Sequence, residues 1–457
     1  MAKTDKKGKK VVVNALEQIR QDAAGIDIGA EELYVAVPPD RDEENVRKFG
    51  TFTADLRDLA EWLKACRIRT VAMEATGVYW IPVYDILEEQ GFEVYLVNAR
   101  HLKNVSGRKT DVLDCQWIQQ LHTYGLLSAS FRPAEEIVAI RSLVRHREML
   151  VQYRSAHIQH MQKALTVMNL RLTNVLSDIS GVTGLKIIRA IVAGERNPHK
   201  LALFRDDRCS KSEAEIAKSL EGHYRPEQVF VLKQALDLFD FYDQQMQSCD
   251  LELEKMYQKF DPPQDPGTPP PSPRTAKRRK NQANFDLAAA LYRMTGVDLT
   301  PIDGIDELTI QKVLSEIGTD MSKWPTVKQF AAWLHLCPNN QITGGKIKKT
   351  GVQPTQNRAS AALRVAAASL HHSDSALGAY YRRMRARLGA PDAITATAHK
   401  LARIIYSMLK NCKPYNDPGN DYYEQQYRSR VLRNITRQAA NLGFRLEPLQ
   451  ALGTEVS

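Results

Sequence analysis

Gly107-Arg108-Lys109-Thr110-Asp111-Val112-Leu113-Asp114-Cys115-Gln116-Trp117 carries two carboxylates three residues apart, just after two cations. Leu113, Trp117, Ile118 and Leu121 follow helical spacing, so Asp111 and Asp114 project from one face of a helix. Like charges that close repel each other unless a cation lies between them, and Arg108 and Lys109 draw a polyanion to the same place. An Asp pair at a helix start is more often a solvated first turn that complements the helix dipole. The choice between these alternatives depends on where other carboxylates fall in the chain.

Two more fall upstream. Ala24-Gly25-Ile26-Asp27-Ile28-Gly29 and Glu32 to Val37 read as two strands joined by a turn, and Val46 to Phe52 as a third. Thr53 reads as the cap of a helix whose Leu56, Leu59, Ala60 and Leu63 form one apolar face. Thr70-Val71-Ala72-Met73-Glu74 is a short buried strand, Tyr79 to Glu89 a second helix, and Glu93 to Val97 a last strand leading to the Asp111 helix. The order is βββαβαβα. Singly, Asp27 is a turn acid and Glu74 a strand-end charge. A charge closing an otherwise buried strand, however, costs folding energy unless it is paired or holds a metal. The order, with acids on the first strand, at the end of the fourth and on the last helix, resembles the RNase H and RuvC-like nuclease fold. That resemblance implies that Asp27, Glu74, Asp111 and Asp114 converge at one sheet edge, where they would bind two Mg²⁺ ions for phosphodiester chemistry.

Composition agrees with a phosphate-bearing partner. The 457 residues are 43% hydrophobic, enough for two or three domains, and carry a net charge of +10 with a pI near 9.1. No apolar run approaches a membrane span, and Met1 to Lys10 lacks the apolar core of a signal peptide, so a cytoplasmic, nucleoid-associated protein is expected. The six cysteines are far apart with no Cys-x-x-Cys pair, which argues against a zinc knuckle or a disulfide framework.

From Ala134 to about Phe260 the pattern is helical. Ile137 to Met168 and Val229 to Phe260 are long segments that could pair as an antiparallel coiled coil, either as a dimerising arm or as a bundle within one subunit. Pro262 to Pro273 is a proline-rich linker, followed by the basic run Arg274, Lys277, Arg278, Arg279 and Lys280, read as a backbone clamp. Leu299 to Asp306 resembles the turn of a helix-hairpin-helix, with Asp306 where a second glycine is usual; an anion there favours packing over DNA contact. Next, Gln341-Ile342-Thr343-Gly344-Gly345-Lys346-Ile347-Lys348-Lys349 places a hydroxyl before two glycines and a lysine cluster, where a backbone can come close to phosphate. The bland alternative is a surface hairpin. Arg358, Arg364, Arg382, Arg383, Arg385, Arg387, His399, Lys400 and Arg403 then suggest a DNA-facing helical domain.

The quartet Asp27, Glu74, Asp111 and Asp114, the helical insert and the Gly-Gly-Lys segment ahead of Asn357-Arg358-Ala359 together resemble the DEDD transposases of insertion sequences, a family related to the Piv pilin-gene invertases. The resemblance implies a RuvC-like catalytic domain (20–131), a helical coiled-coil domain (132–261), a proline-rich basic linker (262–283), a mainly helical C-terminal transposase domain (284–415) and a helical tail (416–457). It implies donor and target DNA as partners, guidance by a bridge RNA, and a dimer or tetramer in which one subunit's acids meet another's hydroxyl. Nucleic-acid contacts are assigned to Arg108, Lys109, Arg278, Arg279, Lys280, Gly344, Gly345, Lys346, Lys348, Lys349 and Arg358. The family nucleophile is a serine before Gly-Gly. Here the position is Thr343, with the same hydroxyl on a stiffer, β-branched side chain; Ser360 and Thr350 are the next hydroxyls to consider. Competing functions are a RuvC-like nuclease that hydrolyses branched DNA, and a non-enzymatic nucleic-acid scaffold.

Overall fold

The computed structural model describes residues 17–75, 77–98, 111–261, 271, 281–349, 351–354 and 357–447. Two units divide the chain, Met1–Arg132 and Pro133–Ser457.

In the first unit β1 (Ala23–Ile28), β2 (Glu32–Ala36) and β3 (Val46–Gly50) form an antiparallel meander, and β4 (Thr70–Glu74) and β5 (Glu93–Val97) continue the sheet in parallel with β1. The five-stranded order is β3-β2-β1-β4-β5, an α/β arrangement of the RuvC type. α1 (Thr53–Ala65) buries Leu56, Leu59, Ala60 and Leu63 as their spacing requires. Its cap differs from expectation. Thr53 is the first helical residue, and the cap position is Phe52, whose N–H donates to Asp55 Oδ2 at 3.1 Å.

Strand alternation sorts the side chains into two layers. Ala24, Ile26, Ile28, Val71 and Met73 pack in one cluster with Leu59, Leu63, Val83 and Leu87, from α1 and α2 (Trp80–Glu89). Ala72 and Val97 form a separate cluster with Ile118 of α3 (Asp111–Thr123). Gly25 and Asp27 on β1, with Thr70, Ala72 and Glu74 on β4, therefore share the face that α3 covers.

α3 lies unusually close to that face. A Cβ on Gly25 would stand 2.3 Å from the Gln119 nitrogen and 2.4 Å from the Cys115 carbonyl oxygen, so only glycine fits. The buried side of α3 also differs from the expected apolar one: Leu113 is half exposed, while Cys115, Ile118, Gln119, His122 and Thr123 are buried. The polar members have partners, although His122 Nδ1 is left without one. Gln119 Nε2 donates to Thr123 Oγ1 at 2.9 Å, and the His122 ring shares a 2.8 Å hydrogen bond with Thr70 Oγ1. Each such bond contributes about 1 kcal/mol net and costs more when one partner is removed. Burial, reinforced by Arg20, pushes His122 down to about 4, so the ring is neutral at pH 7.

The second unit is built on two 33-residue helices, α4 (Glu135–Val167) and α5 (Pro226–Gln258). Arg147 pairs with Asp250 at 2.5 Å, and Arg154, seven residues on, pairs with Asp243, seven residues back, so the helices run antiparallel. Short helices between them, including Val182–Val192 and Glu213–Ser219, close a core around Met161, Leu165, Ile187, Ile191, Leu220 and Leu236. The final third docks on α4. Arg141 donates to the Ser315 and Glu316 carbonyls at the end of α6 (Glu307–Ile317), where a cation complements the helix dipole, and Arg145 forks onto the Glu316 carboxylate at 3.0 and 2.8 Å. The remainder is helical apart from one hairpin: α7 (Arg358–Ser369), α8 (Ala376–Leu388), α9 (Ala390–Asn411) and α10 (Gly419–Asn441). Among the described residues no helix is long and apolar enough to cross a membrane.

Candidate active site

The direction of α3 places the acids. At its C-terminal end the Thr123 carbonyl accepts from the Ile19 and Arg20 N–H groups at 2.9 Å, ahead of β1, and its middle crosses β1 at Gly25. Its first turn, with Asp111 and Asp114, thus lies toward the C-terminal ends of the parallel strands β1 and β4, where Asp27 and Glu74 sit. Asp27 registers this convergence. Its carboxyl is pushed up to about 6, first by burial and then by the negative charges of Asp111, Asp114 and Glu74, against a hydrogen bond from the Ile28 backbone. Cys115 beside it is pushed up to about 12 by burial and by the Asp27 charge, which keeps the thiol protonated.

Among the described residues, no ion pair reaches Asp27, Asp111 or Asp114. An all-oxygen, negatively overloaded donor set is what a hard divalent cation takes. The spacing is more open than a ready-made cage: among the described residues no three His, Cys, Asp or Glu side chains are gathered tightly enough to hold an ion together.

The second set of residues forms a hairpin in the other unit. β6 (Gln341–Thr343) pairs with β7 (Lys346–Lys349), Thr343 facing Lys346 across a two-residue loop. Gly344 and Gly345 have φ of +57° and +75°, the pair of left-handed conformations a type I′ turn needs. Thr343 and Lys346 are exposed, Ile342 is 63% exposed, and a Cβ on either glycine would meet nothing within 4 Å. The glycines are thus required by backbone conformation, and the space around them is open to a large partner.

A family model of DEDD transposases of the IS110 type matches residues 24–169, and a second, described as transposase of the IS116/IS110/IS902 family, matches 298–382. The first match contains all four carboxylates and the second contains the Thr343 hairpin. The chain belongs to the DEDD transposase family of insertion sequences. It is a DNA transposase. No curated protein matches the chain.

Several basic residues of the transposase serve its own fold. Arg358, the first residue of α7 after the Asn357 cap, pairs with Glu148 at 2.9 Å. Arg364 donates to the His335 carbonyl, Arg382 to the His371 and Ser373 carbonyls, and Arg383 pairs with Glu424. Each of these cations thus carries a contact within the protein. Asp306 caps α6 by accepting from the Thr309 N–H at 2.8 Å, and Gly304 is pressed against α7, so the hairpin-like turn serves packing as its composition suggests. Ser360 is fully buried on α7 and is withdrawn as an alternative nucleophile. Arg108, Lys109, Arg278, Arg279, Lys280 and Thr350, and the side chain of Lys349, lie outside the described residues. Sequence reasoning missed Gly25 and Cys115. The only signal was a glycine two residues before an acid on a buried strand, which pattern alone does not separate from a turn glycine.

Proposed function

We propose that the transposase cuts and rejoins DNA strands at the Asp27, Glu74, Asp111 and Asp114 site with the Thr343 hydroxyl as nucleophile. In this reading Thr343 Oγ1 forms a bond to a DNA phosphorus, the bond to one deoxyribose oxygen breaks, and that oxygen leaves with the proton as a hydroxyl. A hydroxyl of the partner strand then displaces threonine, restoring a phosphodiester. A bound Mg²⁺ pair would stabilise charge on the phosphoryl oxygens. The four carboxylates would hold that pair, with phosphate oxygens completing their open spacing, as is usual for Mg²⁺. Lys346, opposite Thr343, and Lys348 would neutralise the approaching backbone.

The observation that carries the reading is the state of Asp27, a half-buried carboxyl pushed up to about 6 by burial and by three other carboxylates. A carboxyl so raised beside three further acids at the end of a sheet is costly to folding and useful to a cation-dependent reaction. The reading includes a guiding bridge RNA, which the net charge of +10 and the family resemblance support, and a homo-oligomeric assembly with α4 and α5 as the arm and the acids of one copy meeting Thr343 of another, which rests on the family resemblance.

A protein–DNA adduct on a denaturing gel, formed with Mg²⁺, is the test. Thr343→Ala should bind DNA but form no adduct, and Thr343→Ser should form at least as much as the natural chain. Cleavage without any adduct would point instead to hydrolysis by water. Sequencing the RNA that co-purifies with the protein tests guidance; RNA with no enriched species would remove that part.

A further inference from the structure

We infer that the transposase captures one unstacked DNA base in a cavity at the foot of the Thr343 hairpin. The cavity, about 410 Å³, lies among the hairpin base, α8 and α9. Pro338 bridges to Val352 and the Asn339 N–H donates to the Gly351 carbonyl at 2.8 Å, which closes the foot of the hairpin against the helical body. Leu336 and Ala396 make an apolar floor, the Tyr380 and His399 rings supply flat walls, and Asn340 and Thr395 bring hydrogen-bonding groups to it. Flat rings with a few polar groups suit a planar heterocycle, and the volume suits a single nucleoside better than a helix or strand.

The walls are held in place from outside the cavity. Lys400 stands 4.5 Å from the centre of the Tyr380 ring and Tyr423 meets that ring edge-on at 6.1 Å; neither lines the cavity. Burial, with the nearby Arg403 guanidinium, holds His399 below its usual value, so at neutral pH it presents an uncharged ring. Charge outside favours a nucleotide over a peptide or a neutral ligand. Arg387 and Arg403 both act on Tyr380, and among the described residues neither has an ion pair, while Asp392 is the one carboxylate in the lining. Cations around an aromatic slot bind a base together with its phosphate. Three residues of strand, about 10 Å, separate Asn340 from Thr343, so a base held here anchors the strand within a few nucleotides of the hydroxyl. Unstacking costs least at a junction or an opened end, which adds selectivity for such DNA.

The inference rests on the proposed presentation of the hairpin to DNA, and its test is independent of the chemistry. Full-length Thr343→Ala protein, expected to form no adduct, is irradiated with a mixed-sequence single-stranded DNA carrying 5-iododeoxyuridine, and in parallel with the same sequence as RNA carrying 5-iodouridine. Peptide mapping should find the DNA crosslink at Tyr380 or His399. Tyr380→Ala should weaken binding of the DNA roughly tenfold to a hundredfold, while Tyr380→Phe keeps the ring and the affinity. Because removal of Tyr380 also removes a packed ring, Ala396→Phe serves as the second variant: it fills the cavity, and it should abolish the crosslink while the melting temperature stays near that of the parent. DNA crosslinks only elsewhere, labelling of these residues by RNA alone, or an unchanged crosslink in a folded Ala396→Phe protein would each overturn the inference.

Discussion

Gly25 and the pair Gly344 and Gly345 mark two regions built on opposite terms. Around Gly25 every neighbour is close: an added Cβ would lie 2.3 Å from the backbone of α3. Around Gly344 and Gly345 an added Cβ would meet nothing within 4 Å, and the glycines are there for their positive φ. The carboxylates thus sit on a layer whose geometry is set by packing before any substrate arrives. The hydroxyl is carried on an exposed turn whose surroundings a nucleic acid would supply. For the proposed reaction, fixed charge with a hydroxyl on an open turn would be a workable division, since misplacing charge is the costlier error in phosphoryl transfer.

The comparison can be broken at the acids first. Asp27→Ala, Glu74→Ala or Asp114→Ala should lower strand cleavage at least about a thousandfold, the factor that several kcal/mol of lost transition-state stabilisation implies, with DNA binding retained. Asp111→Ala, on the exposed outer turn, should be similar or milder. Full cleavage by Glu74→Ala in Mg²⁺ would remove Glu74 from the site.

The two kinds of glycine should then separate by where the damage appears. Gly25→Ala forces α3 off the sheet, so thermal unfolding of the protein should show a loss of about 1–3 kcal/mol, and cleavage should fall because Asp111 and Asp114 move with the helix. Gly344→Ala places a side chain in the left-handed region at a cost of about 1 kcal/mol, confined to an exposed turn. Adduct formation should fall while melting hardly changes. Equal effects of the two on melting would erase the distinction.

A subtler effect comes from Asp27. Its folded-state value is raised from 3.8 to about 6, so the proton is held more tightly in the fold than in the unfolded chain. The stabilisation this brings is complete below about pH 4 and is lost as the pH rises through 6. In a metal-free melt the natural chain should therefore gain stability relative to Asp27→Asn as the pH is lowered from 7.5 to 5, and added Mg²⁺ at pH 7.5 should raise its melting temperature more than that of the variant. Parallel curves for the two proteins would show that Asp27 does not feel the other acids.

The smallest change is expected at the hairpin lysines. Replacing Lys346 and Lys348 by glutamine should reduce the slope of log affinity against log salt by about 0.7–0.9 for each lysine that contacts phosphate. An unchanged slope would return both to solvent.

The meander and the order of strands and helices were legible in the chain because strands advertise themselves by alternation and helices by a period near 3.6. Asp27 and Glu74 stood out because they interrupt apolar strands. The face that α3 buries was not legible. Leu113 looks like its core and Gln119 and His122 like its surface, and the assignment reverses because Ala23 and Thr70, distant in sequence, supply the hydrogen bonds that let polar residues go inside. The pairing of Arg358 and its neighbours was equally hidden. A basic row looks the same whether or not its cations are paired at home, and only the fold shows that Glu148, 210 residues away, pairs with Arg358. Local pattern thus determined the elements and the kinds of chemistry they carry, because periodicity and charge are properties of neighbouring residues. Which face is covered, which cation is already paired and how closely α3 can approach β1 were decided only by tertiary contact, because burial and pairing depend on partners the local sequence does not contain.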